Sequence, residues 1–110
     1  MIVASRVLSL NDASKTQILI EIFAPTKHED GTWSCLYEIG WPDGRRSFEG
    51  WGEDSAQALV MALEMVGAEL YSSAYHQSGQ LMWDKLGSGY GFPVLSNLRD
   101  SLVGDDAKYL

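Results

Sequence analysis

A chain of 110 residues with 45% apolar and 21% charged positions has room for one hydrophobic core and no second domain, and its profile is globular rather than disordered. Eight Lys and Arg against fifteen Asp and Glu give a net charge of −7. That charge argues against nucleic acid, which needs a basic footprint, because the one basic pair, Arg45-Arg46, stands beside Asp43 and Glu49.

Cys35 is the single cysteine, so no intrachain disulfide can form and a reducing compartment is favoured. The N-terminus has no charged region followed by a long apolar run, and no apolar stretch reaches the span of a bilayer. The expectation is a cytoplasmic, bacterial-type protein with no membrane partner.

The first predicted strand is Val3 to Leu10, rich in β-branched and aliphatic residues and followed by the turn cluster Asn11 to Lys15. Gln17 to Ala24 is the second, with Ile18, Ile20 and Ile22 on one face and Leu19, Glu21 and Phe23 on the other, the pattern of a central strand. Pro25 ends it, and Lys27 to Gly31 reads as an exposed loop. Thr32 to Trp41 alternates most cleanly, placing Trp33, Cys35, Tyr37, Ile39 and Trp41 on a face expected to be buried. Trp41-Pro42-Asp43-Gly44 fits a tight hairpin turn that sends a fourth strand, Arg45 to Trp51, back antiparallel.

Asp54 with Gln57 three residues later forms a capping-box pattern that starts a long helix. Its apolar stripe is Ala56, Leu59, Val60, Leu63, Val66, Gly67 and Leu70, and it is expected to run to about His76, some ~22 residues or ~33 Å. Gln80 to Trp83 reads as a short fifth strand, Lys85 to Pro93 as a glycine-spaced loop, and Val94 to Val103 as a short second helix with Leu95, Leu98 and Leu102 in register. The fold expected is therefore α+β: a four-stranded antiparallel meander with the long helix on one face. Residues 1–104 form the single domain and 105–110 a fraying tail.

No constellation for chemistry emerges. Two His and one Cys, with no HExxH or CxxC spacing, offer no metal site. His28 reads as part of a solvated turn, and His76 as a structural residue at a helix C-terminus, where the dipole favours its charged form. Cys35 between Trp33 and Tyr37 reads as an inert core thiol. Ser88 lacks the spacing of a nucleophile elbow, and Gly87, Gly89 and Gly91 miss the dinucleotide fingerprint because Phe92 holds its last position, so the loop reads as a tight turn. Glu53-Asp54 and Asp105-Asp106 read as a helix cap and a solvated tail.

Trp33-Ser34-Cys35, the helix opening Gly52-Glu53-Asp54-Ser55-Ala56-Gln57-Ala58-Leu59, Gly79-Gln80-Leu81-Met82-Trp83 and Gly91-Phe92-Pro93 together resemble a family of short bacterial proteins known only as a domain of unknown function. The likeness covers roughly residues 33–94. It implies a compact domain and transfers no catalytic residue, cofactor or partner.

With no catalytic, metal or cofactor residues to name, the sequence favours a non-catalytic module that binds a basic protein partner or assembles as a homodimer. Trp51, Trp83, Tyr90 and Phe92 are the candidate interaction residues, since four Trp and five Tyr exceed what one sheet face under one helix can hide. The alternative is a small enzyme or ligand-binding domain with its pocket near the loop 87–93. A third arrangement, in which the second helix and that loop cover the far face of the sheet, would leave a well-packed monomer.

Overall fold

The computed structural model describes residues 1–94 and 102–109. Its frame is an antiparallel sheet. Strands β1 (Ile2–Leu10), β2 (Gln17–Phe23), β4 (Trp33–Trp41) and β5 (Gly44–Gly52) pair in chain order, and the two-residue β3 (Thr26–Lys27) and β6 (Leu81–Met82) extend it on β4 and β1. The expected four-strand meander is thus the main part of a six-stranded sheet. Pro25 does interrupt the ladder, having no N–H to give, but the chain resumes pairing at Thr26↔Ser34 and Lys27↔Trp33, so that Lys27, expected to open an exposed loop, is in a strand.

One face of the sheet carries the core: Leu8, Leu10, Ile18, Ile20, Ile22, Cys35, Tyr37 and Ile39 are all buried. The Cys35 thiol donates to the Phe23 carbonyl at 3.2 Å, and burial pushes its pKa up, as an unreactive thiol requires. Helix α1 (Ser55–Ser72) packs on this face. Asp54 is its N-cap and accepts the Gln57 N–H at 2.7 Å, while the Gln57 side chain accepts the N–H of Glu53 at 2.6 Å, one residue before the cap.

The helix meets the sheet on a line rotated from the expected stripe, of which Val66, Gly67 and Leu70 are buried and Leu59 and Leu63 pack against the core. Ala58, Ala62, Val66, Gly67, Leu70 and Tyr71 are buried, whereas Ala56 and Val60 are exposed. The reason lies in β5, which offers Gly50 and Gly52 instead of side chains. A Cβ at Gly50 would stand 2.4 Å from the Ala62 nitrogen, and one at Gly52 2.5 Å from the Ala58 nitrogen. Backbone therefore lies against backbone, and the small residues of α1 turn inward. Glu69 fastens the same contact by accepting from the buried Tyr37 hydroxyl and from Arg46 of β5.

The helix stops at Ser72, short of His76. Ser73 adopts an extended backbone, its hydroxyl donates to the Leu70 carbonyl at 2.7 Å, and its oxygen accepts the His76 N–H at 3.1 Å, so one serine closes α1 and opens the single turn α2 (Ala74–Gln77).

Beyond β6 the chain returns over the same side of the sheet, where Tyr90, Phe92 and Val94 share the core with Leu8 and Ile22. Residues expected as a loose tail form α3 (Gly104–Tyr109). Most of the expected helix at 94–103 lies outside the described residues. The glycine-rich loop packs beside α1 and not on the far face, where that arrangement would have put it, and nothing among the described residues covers the far face. No helix among the described residues is long and apolar enough to cross a membrane.

Candidate functional site

Two places bring unusual residues together. The first is the glycine-spaced loop. Asp106 of α3, only 2% exposed, accepts the Tyr71 hydroxyl at 2.7 Å, the Tyr90 N–H at 2.8 Å and the Gly91 N–H at 2.7 Å. Gly89 and Gly91 have φ of +88° and +80°, conformations that side-chain-bearing residues avoid, and they aim successive amides at one point. A Cβ at Gly89 would lie 2.5 Å from the Asp106 carboxyl carbon. The loop is thus an anion cradle filled by the chain's own carboxylate, not the plain turn expected from its glycines.

Around this cradle Tyr71, His76 and Tyr90 form a closed aromatic triangle with centroids 4.7 to 5.5 Å apart. The His76 Nδ1 shares a hydrogen bond with the Tyr90 hydroxyl. Burial lowers the His76 pKa, so its neutral form is favoured; the expected stabilisation of an imidazolium by a helix end is outweighed by desolvation. Burial likewise raises Tyr71, with Asp106 adding to the rise, and pushes Tyr90 up to about 12.

Arg6 of β1 stands at the edge of the loop. Its Nη1 donates to the Tyr90 carbonyl at 3.0 Å, and its guanidinium lies 3.8 Å from the Trp83 ring centre and 5.1 Å from that of Phe92. Burial lowers its pKa and the field of Asp106 opposes that, leaving an arginine that stays charged. Beside it an open cleft of about 170 Å³ is lined by Ala4, Arg6, Ile22, Leu63, Phe92 and Pro93 among others.

The second place is the uncovered sheet face. Its middle row runs Ser5, Glu21, Glu38, Ser47 across four strands, so two carboxylates of β2 and β4 stand directly opposite each other. Arg45 and Ser47 donate to Glu38 at 3.2 and 3.1 Å. On one side of this row lie Val7 and Leu19, paired across β1 and β2 and 48% and 42% exposed. On the other, Ile2 pairs with Phe23, and Ser34 with Trp51, which is 52% exposed. His28 stacks on Trp51 with centroids 4.9 Å apart and shares a 2.7 Å hydrogen bond with Ser34, so it belongs to this surface rather than to a free turn.

Of the four candidate interaction residues, Trp51 is on the open face and Trp83 is partly exposed beneath Arg6. Tyr90 and Phe92 are not surface anchors: at 4% and 6% exposed they are core, because Asp106 pins their loop against the sheet. Among the described residues no three His, Cys, Asp or Glu converge as metal ligands would.

A family model described as a domain of unknown function, DUF6968, matches residues 4–94. The chain belongs to the DUF6968 family. The match starts in β1, well before the Trp33 at which the sequence likeness begins, and it takes in the open face, Arg6 and the loop but ends before Asp106. No curated protein and no solved structure matches the chain.

Sequence reasoning missed Arg6, Asp106 and the Glu21–Glu38 pair. The last was legible in principle, since Glu21 and Glu38 both fall on the faces opposite the buried ones of their alternating strands; what was lacking was the register that sets them side by side. Arg6 and Asp106 gave no local signal, because their partners lie 84 and up to 35 residues away.

Proposed function

We propose that this DUF6968 domain is a binding module whose open sheet face docks a basic protein surface. The observation that carries the reading is Glu21 opposite Glu38 in a row flanked by the exposed apolar residues Val7, Leu19 and Trp51. Like charges directly opposed across strands are destabilising, and of the two only Glu38 has side-chain donors among the described residues. A partner's Lys or Arg placed over the row would relieve that repulsion, while Val7, Leu19 and Trp51 would bury apolar area around it. The chain's charge of −7 would speed encounter with such a partner and make it salt-sensitive.

The test is affinity capture from a lysate of the native host at about 50 and 500 mM salt, spanning weak and strong screening, with wild type, Glu21→Lys, Leu19→Asp and, as a control away from the face, Glu53→Lys. The expected result is a basic protein held at low salt by wild type and Glu53→Lys and lost by both face variants. A partner retained by both face variants would overturn the reading. A salt-insensitive dimer of the purified chain that Leu19→Asp dissociates would replace the basic partner by a second copy.

A further inference from the structure

We propose that the cleft between β1, β2, Leu63 of α1 and the Gly91–Pro93 segment binds a small monocarboxylate with an aromatic or branched aliphatic body, its carboxylate seated on the Arg6 guanidinium. This site is on the opposite side of the sheet from the docking face and does not depend on it.

Arg6 is held as a receptor group is held. Trp83 and Phe92 orient its plane, and the Tyr90 carbonyl takes one of its five donors. No carboxylate among the described residues forms an ion pair with it, since the nearest in effect, Asp106, is engaged by Tyr71, Tyr90 and Gly91. The glycine at 91 keeps the place clear: a Cβ there would lie 2.4 Å from Arg6 Nη1 and 2.8 Å from Trp83.

Beside Ser5 and Gly91, the remaining walls are Ala4, Ile22, Leu63, Phe92 and Pro93, whose side chains give an apolar body its contacts. A volume of about 170 Å³ is close to the ~150 Å³ apolar cavity known to accept benzene. A guanidinium fork matched to a carboxylate, with a benzene-sized apolar space beside it, selects for charge at one end of the ligand and for bulk at the other.

The experiment is a ¹H–¹⁵N correlation titration of the whole chain with sodium benzoate, benzamide and inorganic phosphate. Benzoate is expected to give saturable shifts at Ala4, Arg6, Ile22, Gly91 and Phe92 with Kd about 1 mM or tighter, a modest demand for so small a ligand. Benzamide and phosphate should each bind at least about tenfold more weakly, one lacking the charge and the other the apolar body. Arg6→Lys should weaken benzoate about tenfold by removing the fork. Ala4→Leu, which fills the cleft and leaves Arg6 in place, should abolish binding in a chain whose spectrum stays dispersed, and it decides the matter if the Arg6 variant does not fold. Benzamide or phosphate binding as well as benzoate, no saturable shift with benzoate, or binding that survives in folded Ala4→Leu would each overturn the proposal.

Discussion

The carboxylate of Asp106 occupies the space that a side chain at Gly89 would need, with the missing Cβ only 2.5 Å from its carboxyl carbon. Residue 106 and residue 89 are therefore coupled, one supplying the anion and the other the absence that admits it. Asp106→Ala strands the Tyr71 hydroxyl and the amides of Tyr90 and Gly91, each a buried or part-buried donor. Since an unsatisfied buried group costs roughly 1–3 kcal/mol, the variant should lose about 3 kcal/mol or more in urea denaturation. Gly89→Ala should lose about 2 kcal/mol from its positive φ and the clash together. Amide exchange at Tyr90 and Gly91 should accelerate in both.

Gly50→Ala should cost about 2–4 kcal/mol, because the new methyl meets the backbone of α1 rather than a side chain that can swing away, and overpacking against rigid atoms forces the helix outward. Gly40→Ala is the control. Its Cβ would sit in ordinary contact, 3.5 Å from the Leu19 carbonyl, and its denaturation midpoint should match wild type within error.

Asp54→Ala removes the acceptor of the Gln57 amide and should cost about 1 kcal/mol. Gln57→Ala, whose side chain reaches only the Glu53 N–H, should cost less. Equal stability of Asp54→Ala and wild type would place the helix start elsewhere.

Glu21→Gln removes one of two opposed carboxylates, so the isolated domain should become more stable by roughly 0.2–1 kcal/mol. The same variant should hold its basic partner less well. Thermal denaturation and the capture assay should thus move in opposite directions, which a purely structural role for Glu21 would not produce.

The pH dependence follows from His76 and the tyrosines. Burial sets the folded His76 pKa below the unfolded value of about 6.5, so the unfolded chain binds more protons between the two. The stabilisation is complete above about pH 6.5 and is lost as pH falls toward the folded value, and His76→Gln should flatten this limb of a pH series of denaturant midpoints. Tyr37, Tyr71 and Tyr90 are raised, Tyr90 to about 12. Their stabilisation is present below the unfolded tyrosine value of about 10 and is lost as pH rises beyond it.

The four principal strands fall within one residue of their expected limits because alternation, Pro25 and the Pro42-Asp43 turn encode them locally. Asp54 was legible for the same reason. The helix's seating was not, since it rests on Gly50 and Gly52, and a scale that counts apolar side chains has no score for their absence. The break at Ser73 was equally silent, because a serine within a helical pattern signals a stop only when its hydroxyl is seen to bond Leu70. The open face was half legible: Leu19 and Phe23 were rightly assigned to the far side of β2, but what covers that side is a property of where residues 83–94 return, and no short-range pattern states it.

The bond from Asp106 to Tyr71 spans 35 residues, whereas the β4–β5 hairpin closes around Pro42 and Asp43 alone. Closing the longer loop costs more chain entropy than closing the hairpin, so the four principal strands and α1 can assemble while residues 87–91 still lack the anion that holds their shape. In kinetic terms Asp106 acts as a late latch. Its loss should leave the rate of folding nearly unchanged and appear almost wholly as faster unfolding.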